Sequence, residues 1–153
     1  MKPNSQLSGV LHVLMHMALH EGPTTSESLS RAMQTHPVVV RRLMGGLRQA
    51  GFVASAKGHG GGWVLTCPLA TTTVGDIHQA LGAPHLLAVG HREDNPSCVI
   101  EQAVNTALDA AYRDAERLVL ARLHAITLAD LHHQFQQRMA TDPRARKHTH
   151  HEN

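Results

Sequence analysis

The stretch Pro37-Val-Val-Val-Arg-Arg-Leu-Met-Gly-Gly-Leu-Arg-Gln-Ala-Gly-Phe-Val-Ala-Ser-Ala-Lys-Gly-His-Gly-Gly-Gly-Trp-Val-Leu65 decides the fold. Its first half places Val40, Leu43, Met44 and Leu47 at the three-and-four spacing of one helical face. Val38, Arg42, Gly45 and Gln49 then point the other way, flanked by Arg41 and Arg48. Pro37 stands where a first helical residue needs no N–H, and Gly51 stands where a left-handed residue ends a helix. Two short apolar runs follow, Phe52 to Ala56 and Gly62 to Thr66, joined by Lys57-Gly-His-Gly-Gly-Gly62, which reads as a hairpin. A helix leading straight into a glycine-rich hairpin is the order of a winged helix, with the helix in the major groove and the wing beside it.

Upstream, Leu7, Leu11, Leu14 and Ala18 recur at steps of four, three and four, predicting a first helix that ends near Glu21-Gly22-Pro23 with this stripe toward the core. Thr24-Thr-Ser-Glu27 has the Thr-x-x-Glu form of a capping box and opens a second helix through Leu29 to about Met33. The short turn Gln34-Thr-His-Pro37 makes helices two and three a helix-turn-helix. Charge agrees with this reading: Ser28 to Gly75 holds five Lys/Arg (Arg31, Arg41, Arg42, Arg48, Lys57) and no acid, while twelve acids lie elsewhere. Such a basic island calls for an anionic partner, here double-stranded DNA. The candidate DNA contacts are Thr25, Ser26 and Ser28 on the second helix, His36, Val38, Arg41, Arg42 and Gln49 on the third, and Lys57, His59 and Gly60 on the wing. Protonation of His36 or His59 beside DNA would strengthen phosphate binding.

Composition bounds the rest. The chain has 153 residues, is 42% hydrophobic and 17% charged, and carries +2 with His neutral, which suits one compact domain plus an appendage. The longest apolar stretch, Val10 to Leu19, is cut by His and falls short of the roughly 20 residues of a membrane span. Met1-Lys-Pro-Asn-Ser5 has no signal pattern, so the expected location is cytoplasmic. Four aromatic residues are too few for stacking on single-stranded bases. The two cysteines, Cys67 and Cys98, do not make a secreted disulfide scaffold.

After the wing, Thr72 or Thr73 caps a short helix through Asp76, Ile77, Ala80 and Leu81, and a flexible Gly/Pro-bearing connection covers Gly82 to Ser97. From Cys98 to about Ile126 the pattern is continuously helical, with Val104, Leu108, Ala111, Ala115 and Leu118 stepping four, three, four and three. A helix of that length outreaches so small a domain, and its stripe is expected on a second copy of the chain. The fold expected is mainly α with a small β wing. Residues 1–82 form a winged helix-turn-helix DNA-binding domain, 83–97 a connection or sensor loop, 98–135 a long dimerisation helix and C-terminal packing segment, and 136–153 a basic, His-rich flexible tail.

The run Pro37 to Leu65, together with Val74-Gly-Asp-Ile77 and Ile126-Thr-Leu-Ala-Asp-Leu131, resembles the Rrf-two family of bacterial winged-helix transcription regulators of the IscR, NsrR and CymR type. The resemblance covers roughly residues 5 to 135. It implies a homodimer held by crossed long helices, mostly acting as a repressor, with recognition helix and wing on DNA. Several members hold an iron-sulfur cluster through three closely spaced Cys before the long helix. This chain offers only Cys98 there, so His85, His91 or Asp94 would have to stand in. Asn95-Pro-Ser-Cys98-Val-Ile looks instead like the cluster-free, single-Cys branch, and no cofactor is expected.

A thiol in the first turn of a long helix feels the positive end of the macrodipole, which favours thiolate, the oxidisable form. Cys98 is therefore the candidate redox or electrophile sensor; the alternative is a small buried hydrophobe, the reading given to Cys67. His12, His16 and His20 sit four apart on the first helix, a spacing that allows an i, i+4 metal-ligand pair; without the third ligand of a specific site, they read as a solvated face. The tail Arg144-Ala-Arg-Lys-His-Thr-His-His151 can add weak metal or phosphate attraction. The same scaffold sensing a metal or a cluster is the alternative function. A Cys-dependent redox enzyme lacks a Cys-x-x-Cys pair and a nucleotide loop, so the chain is not read as an enzyme.

Overall fold

A computed structural model describes residues 3–87, 90–91 and 97–141, without the side chains of residues 3–5. Asp94 and the basic tail beyond Thr141 lie outside the described residues. The order is α1 (Pro3–Leu19), α2 (Ser26–Ala32), α3 (Pro37–Gln49), β1 (Val53–Ala56), β2 (Gly62–Leu65), α4 (Val74–Ala80), α5 (Val99–His124) and α6 (Leu128–Thr141). The fold is mainly helical with one two-stranded antiparallel sheet, in which Val53 faces Leu65 and Ala56 faces Gly62.

The core forms where α1, α2 and α3 turn their apolar faces inward. Val40, Leu43, Met44 and Leu47 are all buried, as their spacing requires. On α1 the buried face is Val10, Val13, Leu14 and Met17, while Leu7, Leu11 and Ala18 are only half-buried. The expected stripe was thus rotated on the helix axis. Both stripes have helical spacing, and packing against α2, β2, α4 and α6 selects between them. The helix also stops at Leu19, short of Glu21-Gly22-Pro23.

The capping box expected at Thr24 and Glu27 does not form. Thr24 is drawn into the wing, exchanging backbone hydrogen bonds with Trp63 at 2.9 and 2.8 Å. Thr25 takes over as N-cap, accepting from the Ser28 amide, and Glu27 turns to Arg41. A Cβ on Gly62 would lie 2.6 Å from the Thr24 carbonyl, so only glycine lets the two backbones meet. Gly51, at φ +81°, ends α3 in the left-handed conformation expected of it.

The C-terminal half is organised by two true capping boxes. Thr73 accepts from the Asp76 amide and the Asp76 carboxylate accepts from Thr73, opening α4; Thr127 and Asp130 do the same for α6. The two starts are stitched back to back: the Val74 amide donates to Ile126 and the Leu128 amide to Thr72, both at 2.8 Å. The long helix accordingly ends at His124 instead of running to Ile126. After this turn α6 returns, buries Leu128 in the core and continues past residue 135 to Thr141.

α5, about 39 Å long at 1.5 Å per residue, has no buried residue. Val104, Leu108, Ala111, Ala115 and Leu118 are all exposed, Leu118 by 74%. The connection before it is tied down where it is described. The His78 ring contacts the Pro84 carbonyl at 2.9 Å, and the Leu86 amide donates to Glu116 at 2.8 Å. His91 pairs with Asp109 at 2.9 Å. The Leu86 amide holds the Glu116 carboxyl below its ordinary range, with His85 at 3.5 Å adding to the effect.

Two outcomes test this packing. A Cβ on Gly46 would lie 2.7 Å from the Ala80 carbonyl of α4, whereas one on Gly45 meets nothing within 4 Å. Chemical denaturation should therefore show Gly46→Ala destabilised by about 1–3 kcal/mol and Gly45→Ala unchanged or stabilised by up to about 1 kcal/mol. The second concerns acid. Backbone amides of Thr73 and Thr127 hold the Asp76 and Asp130 carboxyls below their ordinary value. A depressed folded-state value adds stability that is present above about pH 4 and lost as pH falls through it. Melting temperature should fall over that range, and less steeply in Asp76→Asn/Asp130→Asn.

Candidate nucleic-acid interface

α2 and α3 pack closely, and α3 presents Val38, Arg41, Arg42, Arg48 and Gln49 to solvent, with Gly45 half-buried between them. Val38, 61% exposed at the start of α3, offers methyl groups of the kind that touch a thymine methyl. The wing tip exposes Lys57, Gly58, His59 and Gly60. Its orientation is set by Trp63, whose indole N–H donates to Ser26 Oγ at 3.0 Å while its backbone pairs with Thr24. One aromatic residue therefore joins the wing to the first turn of the helix-turn-helix.

The candidate residues fall into distinct local roles. Thr25 caps α2, and its hydroxyl contacts Ser28 Oγ at 3.3 Å, which in turn accepts from Arg31. Ser26 is occupied by Trp63. His36 caps α3, its Nδ1 accepting from the Val38 amide at 3.3 Å. A protonated His36 cannot accept that bond, so the phosphate attraction expected of its charge is set against loss of a cap on the recognition helix. Arg41 is paired with Glu27 at 3.0 Å, both side chains being largely exposed. Exposed pairs of this kind are worth roughly 0–1 kcal/mol, so Arg41 can exchange its carboxylate for a phosphate. Arg42, Lys57 and Gln49 remain exposed on the outer surface.

Sequence reasoning missed Glu27, Thr24 and Trp63 as organisers of this surface. Glu27 lies 14 residues from Arg41 and was assigned to a cap, while the Trp63–Thr24 bridge has no local signal at all.

At the start of α5, Cys98 is the N-cap and is exposed in the single chain. The amides of Glu101 and Ile100 face the sulfur and hold the thiol below its ordinary value, though no hydrogen bond of ordinary geometry closes on it. Cys67 is half-buried in the wing, and burial pushes its thiol up.

The Rrf2 family, described as iron-dependent transcriptional regulators, matches residues 4–134. The chain belongs to this family, written Rrf-two above, and is a DNA-binding transcriptional regulator rather than an enzyme. It is similar to the HTH-type regulator YwnA of Bacillus subtilis (strain 168), 29% identical over 128 residues that cover 84% of this chain and 95% of YwnA. Its fold matches a transcriptional regulator of Lactobacillus plantarum at TM-score 0.69 and 21% identity, covering 95% and 97% of the two chains. It also matches CymR, the global cysteine regulator of B. subtilis, at TM-score 0.60 and 24% identity, covering 88% and 96%. No described helix is long and apolar enough to cross a membrane.

The family's iron dependence can be set against the donors present. Cys98 supplies one thiolate, His85 and His91 are paired with carboxylates, and among the described residues no three His, Cys, Asp or Glu side chains converge. That donor set does not fit a thiolate-held cluster.

If Arg42 reads a guanine, Arg42→Ala should weaken specific binding by about 1–3 kcal/mol and leave random DNA little changed. Lys57→Ala should weaken both alike and reduce the salt slope by about 1. Titration of labelled duplexes at several salt concentrations separates the two.

Proposed function

We propose that the chain is a homodimeric repressor whose two recognition helices read a two-fold operator in the cytoplasm, tuned by oxidation or electrophile attack at Cys98. The observation that carries this reading is α5. A 26-residue helix with no buried residue, exposing Ile100, Val104, Leu108 and Leu118 on one side, leaves an apolar face that water opposes and a second α5 would cover. Alanines at 111 and 115 permit close helix approach. Residues 1–82 serve as reading head, 83–97 as sensor connection and the long helix as dimer contact.

Cys98 sits at the end of that same helix with its thiol poised toward thiolate. Attack on a peroxide breaks the O–O bond, leaving sulfenic acid on Cys98 and releasing water once the leaving oxygen takes a proton. A thiol, from the second Cys98 or from a small molecule, then converts it to a disulfide with loss of another water. Either product ends the thiolate's interaction with the α5 amides and alters the helix start beside the dimer contact. The reading requires no resident cofactor.

The test is binding to the DNA upstream of the protein's own gene at one salt concentration, with reductant and after mild thiol oxidation. Binding should be lost on oxidation and retained in oxidised Cys98→Ser. Equal binding in both states removes the sensor role, and a monomer at micromolar concentration in sedimentation removes the dimer.

A further inference from the structure

Two histidines of α1 take no part in the DNA surface or the thiol site. His12 and His16 lie one turn apart, on the side of α1 away from Val10, Val13, Leu14 and Met17. Their Nε2 atoms approach to 2.8 Å, with ring centroids 4.6 Å apart and planes at 61°. The two ring nitrogens therefore stand side by side on this face of the helix. Two imidazole nitrogens each about 2.1 Å from a shared ion would stand roughly 3.0 Å from one another at the 90° of a square or octahedral ion, and roughly 3.4 Å at the tetrahedral angle of zinc. The observed separation needs only a few tenths of an ångström of opening to admit the ion.

We infer that His12 and His16 are a bidentate site for a divalent transition-metal ion of the imidazole-binding kind, copper, nickel or zinc. The two imidazoles supply two ligands of the ion, and among the described residues no third His, Cys, Asp or Glu joins them. In the metal-free pair, one Nε2–H donates to the other ring's lone pair. Binding needs both lone pairs, so that proton moves to the same ring's Nδ1 through solvent, with no net proton loss from the neutral pair. The chelate exists only while residues 12 and 16 are helical, and ion binding consequently stabilises α1. α1 packs on α2, β2, α4 and α6, so an ion there stiffens the element on which the reading head and the returning helix both rest.

The test uses the full chain with His148, His150 and His151 changed to Gln, so that tail histidines do not contribute. Ni²⁺ at about ten times the binding midpoint should raise the melting temperature by about 4 °C, and a chelator should reverse it. His12→Gln and His16→Gln should each abolish the shift, whereas His20→Gln and Cys98→Ser should keep it. Cu²⁺ resonance spectra should show nitrogen couplings from two imidazoles, lost in either variant, which reads the ligands without relying on stability. No shift in the parent, a shift that survives His12→Gln/His16→Gln, or a shift removed by Cys98→Ser would overturn the site. Metal-free DNA binding is the same in every arm, so failure here leaves the DNA-binding reading standing.

Discussion

The structure turns on two backbone hydrogen bonds, from Val74 to the Ile126 carbonyl and from Leu128 to the Thr72 carbonyl. They join the N-termini of α4 and α6, which would otherwise be two unsatisfied helix ends meeting inside the protein. Each end is first completed by its own Thr–Asp box, and the flanking backbone is then free to pair across the gap. Because this stitch holds α6 in the core through Leu128, the 26 residues between Cys98 and Ala125 are pushed out as a helix with little of their own domain to lean on. The exposed α5 face is the direct consequence.

Near that stitch, α4 also links α5 to the recognition helix. α5 meets α4 where the His124 ring lies against Gly75 and beside Asp76, and α4 meets α3 where Ala80 lies against Gly46. Both contacts are too close for a side chain on the glycine. α5 and the recognition helix are thus joined through α4 by close contacts. Leu86 and His91, described parts of the connection, are clipped to Glu116 and Asp109 of the same helix.

On the DNA side, charge is distributed less evenly than the basic island implies. Glu27 lies one residue outside the acid-free segment and partly neutralises Arg41, while Arg31 leans on Ser28. The outward charge is carried by Arg42 and Arg48 on the helix and Lys57 on the wing. Ser26, read as a DNA contact, instead fixes Trp63 and hence the wing. Local polar residues thus position the surface, and a smaller set is free to touch the ligand.

Some of this was already determined by sequence alone. Helical spacing specified the buried face of α3, Pro37 and Gly51 bounded it, and glycines around Lys57 specified a hairpin, because these are local constraints on backbone geometry and water. The family resemblance rests on the same run. What tertiary structure alone decided was every choice between locally equivalent options: which of two stripes on α1 faces inward, whether Thr24 or Thr25 caps α2, where the long helix ends, and with which partners Glu27, His85 and His91 pair. Each was settled by atoms brought close by the fold from distant positions, as Trp63 is to Thr24 and Ile126 to Val74. Propensity and spacing reach only a few residues along the chain, and burial against another element outweighs them wherever two local solutions cost nearly the same.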